Sequence, residues 1–245
     1  MANQIPLLTA ALLTGRDDNF IDHASLERPV HRDLVGDWCR LRQDASAAGF
    51  DLAIASGYRD YSRQLAIWNA KACGQRPVFD SDGVPLQLAD LDEWAQVQAI
   101  LRWSALPGAS RHHWGTDIDV YDRAAVPDHY RVSLTSEEVA PDGPFGPMHQ
   151  WLDQRIAEGA SYGFFRPYQR DRGGIAPERW HLSYAPTAAR YQRQLRAELL
   201  LEELDGSTLA LRDTIRRHWA TIYERYVWVP AEYYPAPQRV RLLGS

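Results

Sequence analysis

Ser110-Arg111-His112-His113-Trp114-Gly115-Thr116-Asp117-Ile118-Asp119-Val120-Tyr121-Asp122 puts two imidazoles and three carboxylates into the eleven residues from His112 to Asp122. Gly115 allows a tight bend, and the alternation of Ile118 and Val120 with Asp117 and Asp119 reads as a strand leaving that bend. On such a strand Asp117 and Asp119 face the same side. Imidazoles and carboxylates gathered in this way are the donors of a metal site.

Working outward, Leu34, Trp38, Leu41, Ala45 and Ala48 step by four and three, predicting a helix that starts near Pro29 and ends at Gly49. Leu52 to Ala55 reads as a short buried strand, Ser56 to Asp60 as a loop, and a second helix is expected from about Tyr61, carrying Gln64, Leu65 and Trp68. Residues 74–107 look like an insertion. Val78-Phe79 and Val84-Pro85-Leu86 flank Asp80-Ser81-Asp82-Gly83, which suits a hairpin turn. The tetrapeptide also hints at a calcium loop, but Leu91 stands where an EF-hand needs glutamate. A helix follows from Leu88 to Trp103, stopped by Pro107-Gly108.

Beyond Asp122 a helix is predicted around Met148, Trp151, Leu152 and Ile156, then an extended Tyr162 to Phe165, a polar loop at Arg170 to Gly174, and a strand from Pro177 to Tyr184. From Thr187 two helices are expected, one with Tyr191, Leu195 and Leu199 on a face, the other with Leu211, Ile215, Trp219, Ile222 and Tyr226. Gly206 separates them, and Pro230 to Pro237 should end the regular structure. No repeat or interdomain linker interrupts residues 1–245, which read as one domain.

The composition, 45% hydrophobic with nine Trp and twelve Tyr, is that of a folded protein. A formal charge of −5 with scattered basic residues gives no footprint for nucleic acid or an anionic membrane. Cys39 and Cys73 are not in a Cys-x-x-Cys pair, so neither a disulfide scaffold nor a thiolate metal module is expected, and both read as buried free thiols. Ile5 to Leu13 is apolar, but no Lys or Arg precedes it and Thr14-Gly15-Arg16 is no small-residue cleavage site. The expectation is therefore a cytoplasmic protein, with export the alternative if a signal has been removed.

A catalytic zinc site has three protein ligands and an open fourth position. His112 and Asp119 are two candidates; the best third is His181, because Glu178 three residues earlier could serve as general base. On the residues alone each has a plainer reading. The histidines could be core or surface residues, Glu178 a surface carboxylate, Arg59 a helix-flanking ion-pair partner and Gln64 a solvated helix position.

Ser110-x-His112-x-x-Gly115-x-x-x-Asp119, followed by Glu178-x-Trp180-His181 and preceded by Ser56-Gly57-Tyr58-Arg59 with Gln64, resembles the D-alanyl-D-alanine carboxypeptidase family of zinc peptidases. That family includes the vancomycin-resistance D,D-carboxypeptidases and the bacterial L,D-carboxypeptidases. The resemblance covers about residues 50 to 185. It implies an α+β fold, a small antiparallel sheet flanked by helices as in hedgehog and D-Ala-D-Ala peptidases, with a shared core of about 30–186; the helices expected from Thr187 lie beyond that core, as an extension over 187–245 packed on it. It implies one zinc ion on His112, Asp119 and His181, Glu178 as the base that takes a proton from water, and Arg59 as the cation for the substrate's terminal carboxylate or the developing oxyanion. Ser110, Gln64, Tyr58 and Ser56 become substrate contacts. His113 and Trp114 are expected as pocket wall or substrate contacts, and Trp180 beside the ligand His181.

One position departs from the family pattern, which has Ala two residues before the aspartate ligand where this chain has Asp117. It could orient a ligand imidazole or compete as a ligand.

The implied activity is removal of the terminal D-alanine from peptidoglycan stem peptides or muropeptides. L,D cleavage of tetrapeptides in wall recycling is the first expectation and D,D cleavage of pentapeptides the alternative. A phage-lysin type endopeptidase is a second enzyme reading, disfavoured by Arg59 as a chain-end anchor. A zinc-containing binding module of the hedgehog kind is the non-enzymatic one, disfavoured by Glu178 beside His181. The oligomeric state is not legible.

Overall fold

In the computed structural model residues 7–243 are described; the start of the apolar Ile5 to Leu13 piece lies outside them. The elements are α1 (Ala10–Leu13), β1 (Ile21–Asp22), β2 (Val30–His31), α2 (Val35–Ala47), β3 (Leu52–Ser56), α3 (Tyr61–Ala72), α4 (Glu93–Trp103), β4 (Asp117–Asp122), α5 (Gly146–Ala157), β5 (Phe164–Phe165) and β6 (His181–Tyr184). The C-terminal part adds α6 (Ala185–Gln194), α7 (Ala197–Asp205), α8 (Arg212–Arg217), α9 (Trp219–Ile222) and α10 (Ala236–Leu243). The fold is α+β.

The main sheet is antiparallel throughout, in the order β3-β4-β6-β5. Its register is what positions the site: Asp119 lies opposite His181 and Asp117 opposite Ser183. Because successive side chains alternate between faces, one face presents Ile54, Ile118, Val120 and Leu182, which pack with Trp38, Leu41, Met148 and Leu152 of α2 and α5. The other face is left with Asp117, Asp119, His181 and Ser183. A second apolar cluster joins Trp68 of α3 and Val97 and Ile100 of α4 to Leu200, Leu204, Ile215 and Ile222 of the C-terminal helices.

Four expectations need correction. The first long helix begins at Val35, not near Pro29, because Val30 and His31 pair with Asp22 and Ile21, and the Pro29 carbonyl accepts the Tyr58 N–H at 2.7 Å. The two C-terminal helices are four shorter ones, and α10 forms where regular structure was expected to end. The segment expected as a helix from Leu88 is a 3-10 turn at Leu88–Asp90 before α4, whose N-cap is the Asp92 carboxylate. Cys39 and Cys73 are exposed rather than buried. The hairpin turn is present, with Asp80 N–H bonded to the Val84 carbonyl at 2.9 Å. Its side chain accepts from the Asp82 and Val84 N–H groups, so the carboxylate serves the turn.

Candidate active site

Two backbone contacts set the entrance to β4. Gly115 has φ +66, a left-handed conformation that favours glycine, and a Cβ there would lie 2.6 Å from the His31 nitrogen. The chain thus turns while His112 and His113 stay in a buried 3-10 segment, Arg111–Trp114. Gly57 runs so close to Pro29 that a Cβ would meet its carbonyl oxygen at 2.3 Å. That approach brings the Gly57 carbonyl to His112.

The sheet face and this loop bring His112, Asp119 and His181 together, each with a donor atom within 4.8 Å of the others. His112 Nδ1 lies 2.9 Å from the Gly57 carbonyl, so it carries the proton, and Nε2 points at Asp119 Oδ2, 3.5 Å away. His181 Nε2 lies 2.9 Å from Asp117 Oδ1, leaving Nδ1 to face Asp119 Oδ1 at 3.3 Å and Glu178 Oε2 at 3.4 Å. Tetrahedral ligation with bonds of about 2.0–2.2 Å spaces ligand atoms about 3.4 Å apart, and each imidazole comes within 3.5 Å of an Asp119 oxygen, so two nitrogens and a carboxylate converge as such an ion requires.

The charges agree. Burial holds His112 down at about 4, leaving a neutral ring with a free lone pair. Burial also opposes charge on His181, but Asp117, Asp119 and Glu178 outweigh it and raise that imidazole well above its ordinary value. Carboxylates in excess around one ring are the electrostatics of a cation site. Burial raises the Glu178 carboxyl above its ordinary range, which suits a group that must both take and return a proton.

Asp117 does not compete as a ligand. Its Oδ1 accepts from Arg111 Nε at 2.8 Å as well as meeting His181, and Oδ2 accepts from Thr116 Oγ1 at 2.7 Å and Ser183 Oγ at 3.0 Å. Burial disfavours its charge, yet the adjacent Arg111 guanidinium holds the carboxyl well below its usual range. Arg111 is itself fixed by Ser183 Oγ at 2.7 Å, Gln192 Oε1 at 2.9 Å and Tyr234 Oη at 3.1 Å. Its position inside the opening motif was visible in the sequence, but its partners were not, since Gln192 and Tyr234 lie 81 and 123 residues away.

These donors open into a cleft of about 710 Å³ lined by Arg59, Ser110, Trp103, Trp180 and Glu178, among others. Arg59 Nη1 donates to Gln64 Oε1 at 2.9 Å and Nη2 to Ser56 Oγ at 3.3 Å. Trp180 stacks on Trp103, with ring centroids 6.3 Å apart.

Several expected substrate contacts lie elsewhere. Gln64 is fully buried and gives its amide nitrogen to the Ala105 carbonyl at 2.6 Å, so it orients Arg59 and does not line the cleft. Ser56 likewise holds Arg59. Tyr58 faces a separate depression with Gly15 and His23. His113 is buried behind the wall, its Nδ1 bonded to the Arg59 carbonyl at 2.5 Å and its Nε2 accepting from Gly108 N–H at 3.1 Å. Trp114 belongs to the core and donates to the Leu13 carbonyl.

The sequence reading missed Tyr168, whose ring lies 4.9 Å from that of His181, and Lys71, which lines the cleft from the last turn of α3. It also missed the outer wall at Ser133–Glu137. There the buried Glu138 carboxylate collects Ser133, Leu134 and Thr135 N–H groups, an arrangement no local spacing announces.

Residues 27–187 match the VanY family, D-alanyl-D-alanine carboxypeptidase. The chain belongs to the VanY family. Among related proteins, an uncharacterized protein of Haemophilus influenzae is 41% identical over 103 residues, covering 40% of this chain and 70% of that one. A second uncharacterized protein of the same organism is 27% identical over 124 residues, covering 50% and 92%. Among solved structures, a mutant of the vancomycin-resistance D,D-pentapeptidase VanY in complex with Zn(II) is 22% identical, with a TM-score of 0.47, covering 75% of this chain and 92% of that one. The LdcB LD-carboxypeptidase is 20% identical, with a TM-score of 0.46, covering 78% and 70%. The VanY match ends at 187, so Gln192 and Tyr234, which fix Arg111, lie beyond it.

Proposed function

We propose that this chain is a zinc-dependent carboxypeptidase that removes the terminal D-alanine from peptidoglycan stem peptides, cleaving tetrapeptides as an L,D-carboxypeptidase. The observation that carries the carboxypeptidase reading is Arg59. Its guanidinium lines the same cleft as the donor trio and Glu178, is held on one side by neutral Gln64 and Ser56, and ion-pairs with no carboxylate among the described residues. A planar cation presented in this way suits the carboxylate at a peptide's end and restricts cleavage to the last bond.

Zinc, when bound by His112, Asp119 and His181, would supply Lewis acidity for the scissile carbonyl and acidify water. The chain's own residues do the rest. Glu178 takes a proton from the attacking water as the C–O bond forms, and returns it to the amine as the C–N bond breaks. Gln64 and Ser56 keep Arg59 aimed, and Asp117 keeps the His181 ring in the tautomer whose Nδ1 lone pair faces the site. The tetrapeptide reading goes with a role in wall recycling in the cytoplasm, which cell fractionation would test.

Mass spectrometry of tri-, tetra- and pentapeptide muropeptide digests, with and without a chelator, tests the reading. D-Alanine is expected from the tetrapeptide and not after chelation. Release from the pentapeptide alone would reassign the enzyme as D,D, and cleavage inside the stem would make it an endopeptidase. Glu178→Ala is expected to keep zinc and lose at least about a hundredfold in turnover, the scale of general-base catalysis; unchanged turnover would remove the mechanism.

A further inference from the structure

Arg59 is not alone on its wall of the cleft. It precedes α3, Lys71 lies in the last turn of that helix, Arg76 follows it, and all three line the same cavity. Lys71 Nζ has a neutral partner, Ser104 Oγ at 2.6 Å, and neither Lys71 nor Arg76 ion-pairs with a carboxylate among the described residues. Other basic groups nearby are treated differently: Arg102 is paired with Asp171 at 2.5 Å and Arg111 with Asp117 at 2.8 Å. Burial first, then Arg76 and Arg59, push the Lys71 ammonium down to about 8. A cation in the last turn of a helix is favoured by the helix dipole, but that explains neither its partial burial nor its company of two guanidinia. Like charges gathered on one wall of a cavity with no carboxylate in an ion pair with them are arranged for an anion that arrives. Asp82 and Glu137 line the same cleft without pairing with them.

We infer that Lys71 and Arg76 form a second anion subsite, which takes a carboxylate on the substrate other than the chain-end carboxylate held by Arg59. The inference rests on the carboxypeptidase reading and narrows its substrate class to stem peptides with a free side-chain carboxylate near the scissile bond. A diamino diacid at the third position offers that group; its side-chain amide, or lysine, does not.

The test is calorimetric binding of two tetrapeptides to the zinc-loaded Glu178→Gln protein. The peptides are identical except that the side-chain carboxylate of a third-position diaminopimelate is free or amidated. The free acid is expected to bind about tenfold more tightly, the scale of one charge-assisted contact in a half-buried site. Lys71→Met and Arg76→Met should each move the ratio toward one, and Arg76 is exposed, so its variant tests the subsite even if loss of Lys71 disturbs folding. In the active enzyme the same preference should appear in KM rather than kcat. Equal binding of the two peptides, or a ratio unchanged when both cations are removed, overturns the subsite. If the ratio holds but neither peptide is hydrolysed, the carboxypeptidase reading falls and the subsite stands; if neither peptide binds, both fall.

Discussion

Asp117 occupies the position at which a second free carboxylate would be most disruptive to an Asp119 site, and all of its oxygen capacity is taken by neighbours. Period-two alternation placed it on the ligand face from sequence alone. What it does there depended on Arg111, whose side chain reaches partners remote in sequence, so orienting group and competing ligand were indistinguishable until the fold was known. Removing the carboxylate would leave the Arg111 charge buried and unpaired. Asp117→Ala is therefore expected to destabilise the protein by about 3–5 kcal/mol in chemical denaturation, whereas a surface aspartate changed to alanine should cost well under about 1 kcal/mol. His149 gives a second prediction at this scale. Its ring is buried on α5, and burial, then Arg166 and Arg179, push it from 6.5 down to about 2. Between those values only the unfolded chain binds the proton. Stability from the neutral ring is complete above about pH 6.5 and falls as the pH is lowered, by about 1.4 kcal/mol per unit. His149→Phe should flatten the slope of stability against pH between 7 and 5; an unaltered slope would mean the ring charges in the folded state.

Elements were legible where periodicity was long and uninterrupted. The helices near residues 35–47, 61–72 and 146–157 follow from apolar steps of three and four, and β4 follows from alternation. Elements set by pairing rather than pattern were lost, such as β1 with β2, two residues each, or displaced, as at Pro29. The C-terminal segment was legible as helical and its role was not. Tyr234 Oη donates to Gln192 Oε1 at 2.9 Å, and Gln192 Nε2 donates to the Val229 carbonyl at 2.7 Å, so residues 229–234 close the hydrogen-bond chain that runs through Arg111 and Asp117 to His181. Tyr234→Phe is expected to cost about 1 kcal/mol in stability and to weaken zinc severalfold in competition with a chelator. Loss of stability with unchanged zinc affinity would reduce the segment to packing.

For the molecule as a whole, two of the three donors stand on one face of a sheet whose other face is core, and the third on the loop that enters it, so metal and fold are coupled. Chelation should lower Tm, by about 2–4 °C for each kcal/mol of binding energy lost in a chain of this size, and zinc should restore it; an unchanged Tm would argue against a tightly held ion. The fold class and the donor trio could be read from three short motifs because ligand chemistry tolerates few residue types. The cations on α3 and the Ser133–Glu137 wall could not, since any lysine or loop serine fits their local sequence. The pairing of Asp119 with His181 also bears on how the protein reaches its native state. The two halves of the site arrive on strands remote in sequence, with Asp117 and His181 64 residues apart, so loop closure precedes any complete donor set. Metal is then the last component captured, not a template for collapse. In stopped-flow refolding, the rate of zinc uptake should equal the rate of β4–β6 association and be independent of zinc concentration once the ion is in excess.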